Sequence, residues 1–411
     1  MPLNFKRHIL DNGLRLIIHE DNLTPLVACN LVYNVGSKNE NPELTGMGHL
    51  FEHYMFCGSQ NIANYDFHLQ KIGAINNAYT SQDVTHYYIV LPANNLETAL
   101  WLESDRMIEL AFSEDQLLIQ KQVVSEEFKE NYLNNPFGDR KILFHDFVYE
   151  KHPYKWLPIG KELSHIENVT MDDMKKFFFK YYRPNNAVLT ISGNVVCEEV
   201  INLVEKWFGD IPSGEKIVNN FPQEDIQQKS KFLEVYRNIP YDYLMKAWKI
   251  CDCKSPDFCT YNLISDMFSN GHSSILYKKF VRDNSIFNDL SCCLSSTFDP
   301  GLFILSGRPA NGIDIRKADE LISDFLYNYT YDDCLAHDLQ KVKNVVSVSL
   351  LRNEINIEDR SSFLAVTETI SKIEDFENER ENYCNVSEEQ IINLTESLFS
   401  EEKTNTFYYR H

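Results

Sequence analysis

Gly48-His49-Leu50-Phe51-Glu52-His53-Tyr54-Met55-Phe56 is the stretch on which the reading of this chain turns. It holds the pattern His-x-x-Glu-His, has no proline, and carries a single glycine at its start, which predicts a helix. A helical turn takes about 3.6 residues, so His49 and His53, four apart, project from one face, and Glu52 shares it. Two imidazoles and a carboxylate converging from one helix suit a divalent metal that accepts nitrogen ligands, most naturally zinc. The competing reading is two half-buried histidines beside a salt-bridging glutamate. The rest of the chain has to decide between them.

Upstream, His8-Ile9-Leu10, the turn signal Asp11-Asn12-Gly13 and Leu14 to Ile18 predict paired strands, and Val27 to Val35 a further β-branched run. Gly36 to Pro42 is a loop delivering the chain to the metal helix. Downstream, Tyr65 to Lys71 reads as a short helix ending at Gly73, and Asn77 to Val90 as a strand bent near Ser81 to Asp83. Helices are expected over Leu96 to Leu110, over Ser113 to Tyr132 with Ser113 as N-cap, over Lys141 to Tyr149, and over Thr170 to Tyr182. Ala187 to Ser192 is a strand and Glu198 to Phe208 a helix.

A shift in composition follows. Residues 209–231 are rich in Pro, Gly, Asn, Gln and charge, and read as a linker. Beyond it strands near 232–250, a helix from Phe258 to Val281, strands at 285–308 and helices near 315–328 and 334–353 repeat the coarse order of the first half. The expected architecture is therefore α+β: two related domains, each a mainly antiparallel sheet covered by helices. The expected boundaries are 1–210, a linker at 211–231, and 232–411, with the metal motif in the first domain only.

The composition bounds the function. The 411 residues are 43% hydrophobic and include 22 Tyr and 26 Phe, ample for packed cores. A net charge of -21 argues against nucleic acid or an anionic membrane surface as partner. The N-terminus runs straight into strand-like sequence, so no secretory signal is expected, and nothing is apolar enough for a membrane span. The ten cysteines lack a framework spacing, which predicts free thiols and a cytoplasmic location. Cys251-x-Cys253 with Cys259, and Cys292-Cys293, read as packed thiols on strands rather than as a second metal site.

A zinc enzyme of this type needs a third protein ligand. Glu126, Glu127 and Glu130 lie together on one expected helix, either as candidates or as an ordinary solvated acidic face. Here the sequence resembles the family of pitrilysin, insulin-degrading enzyme and the mitochondrial processing peptidases, over nearly all of the first 210 residues. The residues that carry the resemblance are the His-x-x-Glu-His motif and Val124-Ser125-Glu126-Glu127, whose Glu127 stands 74 positions after His53. Others are Asn77-Ala78-Tyr79-Thr80, His152-Pro153-Tyr154, Gly160, and Tyr182-Arg183-Pro184-Asn185-Asn186 leading to a strand ending at Gly193. The resemblance implies zinc held by His49, His53 and Glu127, with Glu52 as the general base that activates water. It implies substrate binding at Asn77, Ala78 and Tyr79 on an edge strand, and at Arg282 in the second half.

The sequence departs from the family pattern in two places. Gln120 stands seven residues before Glu127, where relatives often have a glutamate, and Asn288 and Asp289 occupy the region where some relatives place a tyrosine after the arginine. The expected activity is zinc-dependent endopeptidase action on unfolded peptides or oligopeptides inside a chamber closed by two chains, either a homodimer or a heterodimer. The alternatives are a catalytically silent structural subunit, or a chain active only beside a metal-free sister subunit.

Overall fold

The computed structural model describes residues 4–376 and 379–411. Its strands are β1 (Lys6–Ile9), β2 (Arg15–Glu20), β3 (Leu26–Tyr33), β4 (Ile75–Thr80), β5 (Thr85–Pro92), β6 (Ala187–Gly193), β7 (Lys231–Tyr236), β8 (Tyr243–Lys249), β9 (Phe287–Leu294), β10 (Leu302–Pro309) and β11 (Asn405–Arg410). The helices of the first half are α1 (Met47–Tyr54), α2 (Tyr65–Lys71), α3 (Leu96–Ile108), α4 (Glu114–Phe128), α5 (Arg140–Val148), α6 (Leu163–Asn168), α7 (Met171–Tyr181) and α8 (Cys197–Phe208). Those of the second are α9 (Asp257–Ser269), α10 (Ile315–Tyr327), α11 (Leu335–Asn353), α12 (Ile357–Ile370), α13 (Glu379–Asn385) and α14 (Glu388–Leu398).

The first unit is built on a six-stranded sheet of order β1-β2-β6-β3-β5-β4. Only β2 and β6 run parallel; every other pair is antiparallel. Alternation along the strands gives the sheet two different faces. Leu16, Ile18, Leu31, Ile89 and Ile191 are fully or almost fully buried on one. The other carries Arg15, Asn30, His86 and Thr190 and is covered by α12, which packs on β6, β3, β2 and β5. Arg15 donates to the Glu368 carbonyl of α12 (2.6 Å), and Arg7 pairs with the Glu368 carboxylate.

The second unit has a five-stranded sheet of order β7-β11-β8-β10-β9. Its one parallel pair is β7 with β11. Read in that order, β7, β11, β8, β10 and β9 repeat β2, β6, β3, β5 and β4, parallel pair included. This is the duplication in topology, with β1 as the first unit's extra strand. Trp248, Phe268, Phe303 and Phe399 centre the second core.

The expected boundaries were contiguous, whereas the compact units interleave. Residues 132–150, with α5, belong to the second unit, where α5 packs on β11. The segment from residue 352, with α12, belongs to the first. Each repeat thus gives the helix after its long one (α4 or α11) to the other repeat's sheet.

Three local expectations are corrected. Asn77 to Val90 is not one bent strand but the hairpin of β4 and β5, because the Ser81 hydroxyl accepts from the Asp83 and Val84 amides and makes the turn. The helix expected from Phe258 to Val281 breaks after Ser269, where Asn270 is extended and Gly271 takes φ +78°, and resumes as a π-helical segment, Tyr277–Asp283. Cys251 and Cys253 lie beyond the end of β8 rather than on it. Cys251, Cys259, Cys292 and Cys293 are free thiols.

Candidate metal centre

The conformation of α1 is set by what precedes it. Gly46, its N-cap, has φ +89°, and a Cβ there would stand 2.7 Å from the Ile159 carbonyl oxygen, so the position demands glycine. Glycine has no side chain to cap the first turn. Glu40 does it from the preceding loop: Oε2 accepts from the Gly46 N–H (2.9 Å) and Oε1 from the Gly48 N–H (2.7 Å). Burial pushes this carboxyl up to about 8, against the pull of those two amides.

From that anchor α1 turns three faces to three neighbours. Leu50, Phe51 and Tyr54 enter the core, with the Phe51 ring 4.5 Å from that of Tyr182 and 5.4 Å from that of Phe177. Gly48 and Glu52 face β4. His49 and His53 face α4, which packs against α1.

On α4, Ser113 caps the first turn by accepting from the Gln116 amide (3.4 Å), and Leu117, Val124, Ser125 and Phe128 form the buried stripe. Glu127 projects beside that stripe toward the histidines. Glu126 turns outward to Lys129 (2.8 Å) and Glu130 is exposed. Helical phase therefore separates three glutamates that composition leaves equivalent. Gln120, two turns before Glu127, lies beside the Cys57 thiol.

Glu127 Oε2 lies 3.9 Å from His49 Nε2 and 3.7 Å from His53 Nε2, and one ligand atom from each of the three residues falls within 4.8 Å of the others. These separations are too long for hydrogen bonds. Ligand atoms about 2.1 Å from a tetrahedral zinc stand roughly 3.4 Å apart, so the gap admits the ion after small side-chain shifts. Burial lowers His49 to about 4, with His53 adding to the effect, and it lowers His53 against the opposing charge of Glu127. Both imidazoles are thus held neutral, the form that binds metal. The donor set fits zinc. Among the described residues no other His, Cys, Asp or Glu group converges in this way.

Glu52 is buried, and its Oε2 accepts a hydrogen bond from Thr80 Oγ1 (2.6 Å). Burial first, then the charge of Glu127, raises its carboxyl to about 7, while the Thr80 hydroxyl and backbone oppose the rise. A carboxyl balanced near neutrality can both take and return a proton.

The remaining expected residues fall in two places. Asn77, Ala78 and Tyr79 lie on β4, whose outer edge has no partner strand among the described residues. Asn77 Oδ1 accepts from the Ala78 amide (2.9 Å), and the Tyr79 ring packs edge-on against His86. Arg282 sits in the π-helical segment of the second unit, paired with its neighbour Asp283 (2.6 Å). Asn288 and Asp289 are on β9. Glu40 was not singled out in the sequence, and Thr80 entered only as part of the stretch Asn77-Ala78-Tyr79-Thr80, with no role of its own; each acts through a contact that residue spacing does not encode.

Two family models match the chain: "Insulinase (Peptidase family M16)" over residues 15–145 and "Peptidase M16 inactive domain" over residues 168–346. The zinc protease PqqE of Helicobacter pylori is 25% identical over 412 aligned residues, covering 98% of this chain and 91% of that protein. Among solved structures, a protease from Helicobacter pylori superposes with a TM-score of 0.92 at 23% identity, covering both chains completely. A peptidase M16 inactive domain from Pseudomonas fluorescens superposes with a TM-score of 0.84 at 16% identity, over 99% of this chain and 98% of that one.

Proposed function

The chain belongs to the peptidase M16, or insulinase, family, and from that premise we propose that it is a zinc-dependent endopeptidase acting on unfolded peptides. The observation that carries the reading is the convergence of His49, His53 and Glu127 beside a buried, hydrogen-bonded Glu52.

His49, His53 and Glu127 would hold the metal. Bound there, zinc supplies a Lewis acid that polarises a scissile carbonyl and acidifies water. Glu52 takes the proton from the attacking water and returns it to the leaving amine, for which a carboxyl near neutrality is suited. The open edge of β4 pairs with an extended peptide through main-chain hydrogen bonds, sending alternate side chains toward Thr80 and toward Tyr79. Pairing at an edge selects unfolded or short peptides, since a folded chain has no free strand to offer. A second copy or a related chain completes an enclosing chamber.

A silent structural subunit is the alternative, and the inactive-domain match gives it a specific basis. That match spans 168–346, however, and His49, Glu52, His53 and Glu127 all lie within the other, 15–145. A silent chain has no chemical reason to keep all four groups converged. Hydrolysis of quenched fluorescent peptides, with and without chelator, beside Glu52→Gln, tests the reading. Chelator-sensitive turnover that Glu52→Gln removes while zinc stays bound supports it; no turnover and no bound zinc supports the silent subunit.

A further inference from the structure

We infer that Thr80 is the positioning residue of the general base, so that the strand which takes the substrate also orients Glu52. The inference rests on the proposed peptidase reading and adds a residue to it. Four observations meet at this residue.

The Thr80 hydroxyl donates to Glu52 Oε2 at 2.6 Å, the one side-chain hydrogen bond given to this carboxylate among the described residues. On its other side the γ-methyl faces Gly48, 3.7 Å from where a Cβ there would stand, and Gly48 and Glu52 are one turn apart on the same face of α1. With its methyl facing Gly48 and its hydroxyl directed at Glu52, the β-branched side chain presents both groups to α1 from one rotamer.

The backbones on both sides are fixed as well. Beyond Thr80, Ser81 N–H donates to the Val84 carbonyl (2.8 Å) and closes the hairpin. The tip is then held by Ser37 N–H to Ser81 O (3.1 Å), and by the buried Lys38–Asp83 pair (2.7 Å), whose carboxylate also accepts from the Tyr154 hydroxyl (2.6 Å). The same loop supplies Glu40, which caps α1. One loop thus ties the hairpin to the metal helix, and the Thr80–Glu52 hydrogen bond spans the two elements it joins.

Finally, Thr80 is the last residue of β4, the edge strand. A peptide pairing along β4 stiffens the strand that ends in the Glu52 partner. Binding and proton transfer are thereby one hydrogen bond apart.

The test compares Thr80→Val, which keeps the methyl and loses the hydroxyl, with Thr80→Ser, which keeps the hydroxyl and loses the methyl. In the zinc-loaded chain Thr80→Val is expected to lower kcat roughly 10–100-fold, the range for partners that orient catalytic groups, with KM and zinc content unchanged. Thr80→Ser is expected to recover most of that loss. A second readout needs no activity: in a crystal structure of Thr80→Val the Glu52 carboxylate should leave its place beside residue 80. Equal kcat in Thr80→Val and wild type, or an equal loss in both variants, overturns the inference. So does a Glu52 carboxylate that stays in place in the valine variant. An inactive wild-type chain instead overturns the peptidase reading, and the crystal structure then decides on Thr80 alone.

Discussion

The two repeats of this chain have the same strand order and differ in what each helix brings to its edge strand. In the first, the eight-residue α1 lies against β4 with a glycine and a glutamate, and the outer edge of β4 has no partner strand among the described residues. In the second, the thirteen-residue α9 lies against β9, and the Ser269 hydroxyl accepts from the Cys292 amide (2.8 Å) and donates to its carbonyl (3.2 Å). α9 contains no histidine, and its Leu263, Ile264, Met267 and Phe268 join an aromatic core. One scaffold thus serves two ends. Where the helix carries His49, Glu52 and His53 the site can do chemistry, and where it carries apolar side chains the same position adds stability.

Changes in each repeat should separate these two roles. The largest effect is expected from Glu52→Gln: kcat falls by about 10³-fold, within the range for general-base removal, while one zinc per chain remains. Peptide turnover read beside metal analysis checks it, and a variant with wild-type kcat would remove Glu52 from the chemistry. Next comes Gly46→Ala. Its positive φ and the 2.7 Å approach to Ile159 O should cost about 1–3 kcal/mol or more, measured by urea unfolding. Zinc affinity should fall with it, because the first turn of the metal helix is displaced.

A smaller effect is tied to pH. Glu40 moves from an ordinary value of 4.5 to about 8 on folding, so the folded chain binds this proton more tightly than the unfolded one. Its contribution to stability is full below the unfolded value and is lost as pH rises through the folded one. The stability of wild type relative to Glu40→Gln should therefore decline between about pH 5 and about pH 8. A difference that is flat or grows over that window contradicts the assignment. The smallest effect belongs to the second repeat: Ser269→Ala should cost about 1 kcal/mol, the worth of its lost hydrogen bonds, with kcat and KM unchanged. A loss of turnover there would give the second repeat a part in catalysis.

Much of this organisation could be read from the residues, and the gaps have physical causes. The metal helix was legible because a spacing of four puts two histidines on one face whatever surrounds them. Glu127 was not separable from Glu126 and Glu130 by spacing alone; the phase of α4 against α1 decides it, and only the family resemblance anticipated the outcome. The β4–β5 hairpin was missed because Ser81-Gln82-Asp83-Val84 has neither Gly nor Pro, and a serine hydroxyl makes the turn. Residues beyond 353 were left unassigned. There α12 meets a sheet face of mixed polarity and buries Ser361, Thr367, Glu368 and Thr369 among Ile357, Leu364 and Ala365, so the apolar stripe by which helices are recognised is broken. Glu40, and the role of Thr80 within its matching stretch, escaped the sequence for another reason: their partners are fixed by a loop and a hairpin, not by a period.

The central claim is that the first repeat alone is a metal centre. An anomalous difference map at the zinc edge, from crystals grown with zinc, tests it most directly. The account predicts one strong peak between His49, His53 and Glu127, and none against α9 or the cysteines near β8. A first repeat without a peak, or a comparable peak in the second, would contradict it.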